Sequence, residues 1–346
     1  MAWTIYKSTD GSAPAISGQN YKILDLLDAV LTGPSGDGTG NAYGSTPCAG
    51  WSQPFGSSAG KRVYWMGAGA RARLYFRVTQ LNNVRYADYT GYSTMTDLDN
   101  GTDPFPSATP PSQTPSSLYL WVSDTANSTV RSWIIAADER TAIIFVYRDS
   151  ADVNKGPGWL VTYMGEFFSY APNDAYQVAT LGTFFVNTTE PKMIGNPLGR
   201  MPPADVTTPC TGVWVARNFN GEPDSLTANW SWSCYPMSTT FSSISGPFPG
   251  VNPLDSKLWM TDIPIVTNRT DVCIRGVLRG LYLPMFTERY YADRDTLSAD
   301  IGAETLNFLN LWVTGIGQGD TGNNTSFNWF KRSCLLLQTS GTPAVS

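Results

Sequence analysis

Short stretches in which apolar and polar residues alternate constrain the fold of this chain more than any other feature of its sequence. The clearest of them runs from residue 71 to residue 78. Its apolar positions are Ala72, Leu74, Phe76 and Val78, and its polar positions are Arg71, Arg73, Tyr75 and Arg77. Because successive side chains of a β-strand point to opposite faces, this period of two predicts a half-buried strand.

Further short apolar runs, bounded by Gly, Pro, Asn and Ser, predict strands along the rest of the chain. They are 63–66, 118–123, 133–137, 143–147, 159–168, 176–181, 213–217, 226–233, 258–260, 272–283, 306–313 and 334–338. Residues 67–70 and 138–141 predict hairpin connections. We therefore predict a mainly β fold. It has an antiparallel β-sandwich or barrel-like N-terminal region with one short helix, and a second β-rich C-terminal region.

The short helix is predicted at about residues 20–32, where the spacing changes to that of an amphipathic helix. Its apolar residues are Ile23, Leu24, Leu27, Val30 and Leu31. Asn20 is the predicted N-cap, and Gly33 followed by Pro34 is predicted to end the helix.

Two proline-rich stretches interrupt the strand pattern. The first, 101–117, predicts a stiff extended loop, and the second, 187–211, marks the best candidate for a domain boundary. The predicted organisation is an N-terminal β domain at 1–187, a Pro-rich linker at 188–211 and a C-terminal β domain at 212–346.

The chain contains no histidine, and this absence narrows its function. It excludes Ser-His-Asp and Cys-His catalysis and His-containing zinc sites. The sequence also has no phosphate-binding loop, dinucleotide fingerprint or Gly-x-Ser-x-Gly elbow. We predict no cofactor, no metal and no enzymatic activity.

The cysteines give no metal-binding pattern. They are Cys48, Cys210, Cys234, Cys273 and Cys334, and none forms a CxxC pair. Buried apolar thiols are a better interpretation than a full disulfide framework, because the number is odd. A disulfide bridge between Cys210 and Cys234 is an alternative that the sequence alone does not decide.

Few charges and many aromatic residues favour a protein that works through contact with other proteins. Charged residues make up 15% of the chain and aromatic residues 13%, and interface cores are depleted in charge and enriched in aromatics. The net charge of −5 predicts binding neither to nucleic acid nor to an anionic membrane. The N-terminus lacks the pattern of a signal peptide, so we expect synthesis in a cytosol.

The polar face of the 71–78 strand is the first candidate for an interaction surface. Arg71, Arg73, Tyr75 and Arg77 could bind a phosphate or a carboxylate-lined partner, since arginine suits interfaces better than any other cation. A solvated sheet face with scattered charge is the simpler alternative. We favour a third interpretation, a face whose arginines form salt bridges within the chain or between subunits.

Acidic residues offer weaker alternatives. Residues 97–103 superficially resemble a calcium loop, but Gly101 falls one position too early, so an Asp/Asn/Gly turn is the better interpretation. Glycoside hydrolysis needs only two acids a few ångströms apart. The candidate acids are Asp97, Asp99, Glu139, Asp152, Glu166 and Asp174. Tryptophans could stack on sugars, but their places in strand patterns favour core packing for most of Trp51, Trp65, Trp121, Trp133, Trp159, Trp230 and Trp232.

The N-terminal half contains a series of short stretches, which are the opening AWTIYKSTDGSAP, then AGW at 49–51, KRVY at 61–64, LYFRV at 74–78, GYSTMTDLD at 91–99 and GTDPFP at 101–106. This series resembles a family of tailed-bacteriophage virion structural proteins. A later stretch, RGVLRGLYLP at 275–284, is similar to the family's Arg-Gly-x-Leu-Pro-Gly-Leu-Tyr/Trp motif. The resemblance covers most of residues 1–185 and about 270–315, and does not extend to about 190–265.

The chain departs from the family's pattern in the later stretch. Arg279 stands where the family usually has Pro, and Met285 and Phe286 stand where it commonly has Leu-His. We therefore expect Pro284, Met285 and Phe286 to form a packing or contact turn rather than a site of chemistry.

The resemblance implies a structural role in a virion, assembled in the host cytoplasm. The expected partners are copies of the same chain and other virion proteins at the neck, tail, baseplate or capsid surface. A host-recognition protein that binds surface glycan is the main alternative, and a carboxylate-based glycan depolymerase is a weaker one.

Overall fold

The computed structural model describes residues 2–105, 118–123, 125–148, 158–182, 213–217, 260–267, 273–284, 291–313 and 333–343. Within these residues the chain is mainly β with one short helix, and its sheets do not close into a barrel. The predicted mainly β fold class is confirmed.

Twenty strands are described. In the first part of the chain they are β1 (Thr4–Lys7), β2 (Asn41–Tyr43), β3 (Thr46–Pro47), β4 (Lys61–Trp65), β5 (Tyr75–Thr79), β6 (Tyr86–Tyr92), β7 (Thr94–Met95), β8 (Gly101–Thr102), β9 (Leu118–Trp121) and β10 (Trp133–Ala137). The later ones are β11 (Thr141–Arg148), β12 (Gly158–Glu166), β13 (Phe168–Ser169), β14 (Val178–Leu181), β15 (Val213–Val215), β16 (Met260–Thr267), β17 (Cys273–Pro284), β18 (Thr296–Ile301), β19 (Glu304–Val313) and β20 (Ser333–Gln338).

The predicted helix is present as α1 (Lys22–Leu27), which continues as a π-helical segment (Asp28–Thr32). The predicted capping role of Asn20 is wrong: the N-cap residue is Tyr21, which has φ 56 and makes no side-chain cap hydrogen bond. Gly33 ends the segment as predicted. It has φ 70, and a Cβ there would lie 2.3 Å from the Thr39 carbonyl oxygen, so the position requires glycine.

A four-stranded antiparallel sheet has the strand order β4-β5-β6-β9, and it packs against the helix. The predicted hairpin through residues 67–70 is confirmed, because β4 pairs with β5. The alternation predicted for 71–78 is also confirmed by burial, although the strand itself begins only at Tyr75.

A twelve-stranded sheet forms most of the rest of the body, and β2-β3 and β7-β8 form two small two-stranded sheets. Its main path is β1-β10-β11-β12-β19-β20-β17-β13, with β14 and β15 continuing from β12, β16 beside β17, and β18 beside β19. The pairs are antiparallel except for one parallel contact, between Trp159 of β12 and Val313 of β19. The predicted hairpin of β10 and β11 around residues 138–141 is confirmed.

Strands β10, β11 and β12 form the middle of three layers, since both of their faces are buried. Alternate residues such as Ile135, Ile144 and Leu160 belong to a first core shared with α1 and the four-stranded sheet. Residues between them, such as Phe145 and Val161, belong to a second core shared with β16, β17, β19 and β20. The large sheet therefore folds over on itself around the second core. Strands that are buried on both faces have continuous apolar sequences, and β10, β11 and β12 have such sequences.

The two predicted domains share this sheet. β12 lies before the predicted linker at 188–211 and β19 after it, yet they are neighbours, as are β13 and β17. The linker itself lies outside the described residues, and the domain boundaries stay a prediction.

The described residues bear on membrane insertion and on the state of one cysteine. Among the described residues no helix has the length and apolarity to cross a membrane. Cys48 is a buried free thiol. Cys210 and Cys234 lie outside the described residues, as do the side chains of Cys273 and Cys334.

Candidate interaction surface

The outer face of the four-stranded sheet carries a row of aromatic side chains. Trp65 of β4 lies opposite Tyr75 of β5, which lies opposite Tyr92 of β6. Arg73 and Arg77 flank Tyr75 along the chain at the same period of two, so they share its side of the sheet. We call these five residues the aromatic face.

Ring stacking and a cation–π contact hold part of the aromatic face in place. The Trp65 and Tyr75 rings lie 5.6 Å apart between centroids and within 5° of parallel, and Phe55 stacks on Tyr75 at 6.3 Å. The Arg73 guanidinium lies 3.5 Å from the centroid of the Trp65 ring, and its Nε donates to the Met66 carbonyl at 3.1 Å. Each contact limits side-chain rotation, so this surface is formed before any partner arrives.

Arg77 ties the aromatic face to the neighbouring turn. Its guanidinium lies 5.1 Å from the centroid of the Tyr92 ring and donates to the Asp99 carbonyl oxygen at 3.1 Å. The Asp99 carboxylate pairs in turn with Lys61. Beside them, burial raises the pKa of Asp88 to about 6, although the Arg77 charge acts in the opposite direction.

Of the four residues predicted on this strand face, the structure brings three together. Arg73, Tyr75 and Arg77 lie on the aromatic face, whereas Arg71 is exposed and precedes the strand. The backbone N–H groups of Arg71 and Ala72 donate to the Glu166 carboxylate. Arg73 and Arg77 contact rings and carbonyl oxygens in the contacts described above. A salt-bridged face, within the chain or between subunits, stays a prediction.

The predicted contact turn at the end of the later motif is described only at its start. Pro284 is the last residue of β17, lies opposite Met260 of β16 and is half-buried. Met285 and Phe286 lie outside the described residues. Their proposed role as a contact element stays a prediction.

An open cleft of about 670 Å³ lies next to the aromatic face. It is lined by Pro54, Phe55, Gly56, Ser57, Asp97, Leu98, Asp99 and Asn100. The Asp97 carboxylate accepts hydrogen bonds from the backbone N–H groups of Asp99 and Asn100, at 2.7 and 2.8 Å, and from the Asn100 side chain at 2.8 Å. The predicted Asp/Asn/Gly turn is confirmed.

Several of the candidate acids for glycan hydrolysis are engaged in other contacts in the described residues. Hydrogen bonds from Asn100 and Asp99 lower the pKa of Asp97, which is the wrong direction for a general acid. Burial raises the pKa of Glu166, but that side chain is 1% exposed and its carboxylate binds the 71–72 backbone. Asp152 lies outside the described residues. No group of three or more metal-ligating acids or cysteines was found in the described part of the chain.

The predicted core role of the tryptophans is confirmed for Trp51, Trp133 and Trp159, which are at most 1% exposed. Trp121 is also buried, whereas Trp65 belongs to the aromatic face. Trp230 and Trp232 lie outside the described residues.

Two buried arginines of β17 have roles that the sequence reasoning missed. Arg275 makes two 2.8 Å hydrogen bonds to the Asp174 carboxylate. Burial alone would raise the pKa of Asp174, but the Arg275 guanidinium, together with hydrogen bonds from Ser169 and the Tyr176 backbone, outweighs it and holds this pKa below its usual value. The signal was available, because an arginine inside an apolar run of a buried strand needs a carboxylate partner.

The second arginine, Arg279, joins β17 to the β10–β11 hairpin. Its guanidinium donates to Asp138 at 2.8 Å and to the Thr141 hydroxyl at 2.7 Å. Arg279, which stands where the family usually has Pro, lies within strand β17.

Comparison with known proteins adds no assignment. No protein-family model matches the chain, and no curated protein matches it. The resemblance to phage virion proteins stays a prediction from the residues themselves.

Proposed function

We propose that this chain is a structural component of a tailed-phage virion, assembled in the host cytoplasm and held in the particle by protein–protein contacts. The sequence resemblance over residues 1–185 and 270–315 supports this function. The position in the particle is the neck, the tail, the baseplate or the capsid surface.

The aromatic face is the observation that carries the proposal. Tyrosine, tryptophan and arginine are the residues most enriched at the energetic centres of protein interfaces. Here Trp65 and Tyr75 are stacked and half-buried, and Arg73 lies over the Trp65 ring. Tyr92 is buried in a small cluster with Val63 and Met95. A surface that is rigid before binding loses little conformational entropy on association, which favours a stable contact.

Incorporation of variants into particles tests this function. Particles produced without the chain are complemented with the wild type, with Arg77→Glu or with Lys22→Glu, and the chain is quantified in purified particles. Lys22 is the matched control, because it is a half-exposed residue in a surface pair with Asp25 and its change reverses the same charge. We expect Arg77→Glu to incorporate at least about tenfold less, since a Glu cannot contact the Tyr92 ring as a cation does.

The outcomes separate the function from the surface. Wild-type chain absent from purified particles would overturn the virion proposal. Equal incorporation of both folded variants would show that the aromatic face is not part of the contact with other virion proteins.

Glycan recognition is the second candidate, because the open cleft offers Phe55 and Leu98 beside the Asn100 amide. Binding of the purified chain to a glycan array, with loss of the signal in Asn100→Ala, would favour it. The same array bound equally by the variant, or not bound at all, would count against it.

A further inference from the structure

The hairpin of β18 and β19 presents a strand edge. β18 pairs with β19 through six consecutive residue pairs without a register shift, and in the described part of the chain it pairs with no other strand. Thr296, Ser298 and Asp300 of β18 are exposed. Open strand edges are templates for another strand, and natural proteins protect them with lysine, proline or bulges. β18, with the sequence TLSADI, has no lysine, proline or bulge, and its one charged residue is Asp300.

The turn of this hairpin determines which backbone groups of β18 point outward. Ile301 and Glu304 close a two-residue turn, and Gly302 at its first position has φ 63, as a type II′ turn requires. The pair that closes such a turn exchanges both backbone hydrogen bonds, and the pattern then alternates along the strand. Odd-numbered residues of β18 therefore bond to β19.

A backbone hydrogen bond just before β18 also involves an odd-numbered residue. The Asn310 N–H donates to the carbonyl of the odd-numbered Asp295 at 2.9 Å. The N–H and C=O groups of Thr296, Ser298 and Asp300 consequently point away from β19, along the exposed edge.

The two faces of the hairpin differ in chemistry. Ser298 bonds to Asn307 and Asp300 to Thr305, each at 2.8 Å, on the polar face. The opposite face carries the apolar residues Leu297, Ala299, Ile301, Leu306 and Phe308. Ile301 is 41% exposed, so the apolar face reaches solvent at the tip of the hairpin.

We infer that β18 pairs antiparallel with β18 of a second copy of this chain, which joins two hairpins into one four-stranded ribbon about a two-fold axis. Directly opposed residues must both point their backbone groups toward each other, so even-numbered residues oppose even-numbered ones. This parity places Leu297, Ala299 and Ile301 of both copies on one face and their polar neighbours on the other.

Charge is compatible with this self-pairing. When the two-fold axis passes through Ser298 or Ala299, Asp300 opposes Thr296 or Ser298 of the second copy, and the two carboxylates stay apart. The chain thus provides a self-complementary edge in sequence, face and charge, as a two-fold contact requires.

The contact is small, so we expect weak association in solution. Six residues of strand edge bury less than the roughly 1,600 Å² of a standard interface. Neighbouring sites on a larger assembly would raise the effective concentration of the two edges and strengthen the pairing. The inference goes beyond the proposed function and does not depend on it.

Amide hydrogen exchange combined with sedimentation velocity, over a wide range of concentrations of the full chain, tests the inference. As dimer forms, the amides of Ser298 and Asp300 should become protected, whereas the amides of Ala299 and Ile301 should be protected at every concentration. A chain that stays monomeric throughout would overturn the inference. So would a dimer in which the Ser298 and Asp300 amides still exchange freely.

A matched pair of variants isolates the outward N–H group. Ser298→Ala loses the bond to Asn307 but keeps the N–H, whereas Ser298→Pro loses both. Proline is tolerated at an edge position whose N–H faces solvent. Ser298→Pro should weaken dimerisation at least about tenfold relative to Ser298→Ala, which is about 1.4 kcal/mol. Equal dimerisation of the two would contradict the pairing. If Ser298→Pro does not fold, Ile301→Lys provides the test, because it places a charge on the shared apolar face and should weaken dimerisation comparably.

Discussion

Arg279→Met should strongly destabilise the protein, because it leaves a buried carboxylate without its cation. The side chains of Arg279 and Asp138 are 1% and 4% exposed. The guanidinium donates to both carboxylate oxygens, at 3.3 and 2.8 Å, and the carboxylate of Asp138 raises the pKa of Arg279 despite the opposing effect of burial. Methionine fills similar space without hydrogen-bond donors.

The structure indicates the size of the loss. Asp138 keeps the backbone N–H groups of Arg140 and Thr141, each at 2.9 Å, but both bind Oδ1, so Oδ2 loses the bond from Arg279. Removing one partner of a buried ion pair typically costs about 3–5 kcal/mol, a large part of the roughly 5–15 kcal/mol by which a domain is stable.

Urea unfolding of a double-mutant cycle measures this coupling. Asp138→Asn with Arg279→Met removes both charges and keeps an acceptor for the two N–H groups. We expect the double variant to lose less free energy of unfolding than the two single variants together, by about 2 kcal/mol or more. A loss below about 1 kcal/mol in Arg279→Met, or additive losses in the cycle, would refute the assigned role of this pair.

Two further predictions concern Asp88, which lies beside the aromatic face, and Gly165 of β12. The pKa of Asp88, about 6 when folded, lies above its ordinary 3.8, so the folded state holds the proton more tightly and the free energy of unfolding falls as pH rises between these values. Asp88→Asn should therefore become more stable than the wild type by about 1–2 kcal/mol near pH 7 and lose that advantage near pH 4, as urea midpoints would show; a difference independent of pH would contradict the raised pKa. Gly165→Ala should cost more than about 3 kcal/mol, since Gly165 has φ 127 and a Cβ there would lie 2.3 Å from the Arg140 carbonyl oxygen. Gly302→Ala, at φ 63 with no atom within 4 Å of the added Cβ, should cost only about 1–2 kcal/mol in the same measurement, and equal losses would argue against the close contact at Gly165.

Local pattern predicted the strands well, because side-chain alternation and turn chemistry are local properties. The hairpin of β10 and β11 follows from two apolar runs around a polar loop, and the face of Arg73, Tyr75 and Arg77 follows from a period of two. The helix was placed by its apolar spacing, but its first residue was not, because a left-handed Tyr21 precedes it in place of a side-chain cap.

Long-range pairing could not be predicted in the same way. The contact between Trp159 and Val313 joins strands far apart in the sequence, and no periodicity encodes it. The rings around Tyr75 also come from separate segments, Phe55 from a loop and Tyr92 from another strand. The ion pair of Arg279 is an exception that could have been predicted, because an arginine in an apolar run requires an acidic partner elsewhere in the chain.

A reconstruction of the whole phage particle at a resolution that resolves strands would test the proposed function most directly. The proposal predicts the three-layered β fold at a regular position in the neck, tail, baseplate or capsid surface, with Trp65, Tyr75 and Arg77 covered by a neighbouring chain. A particle whose density is fully accounted for by other chains would contradict it.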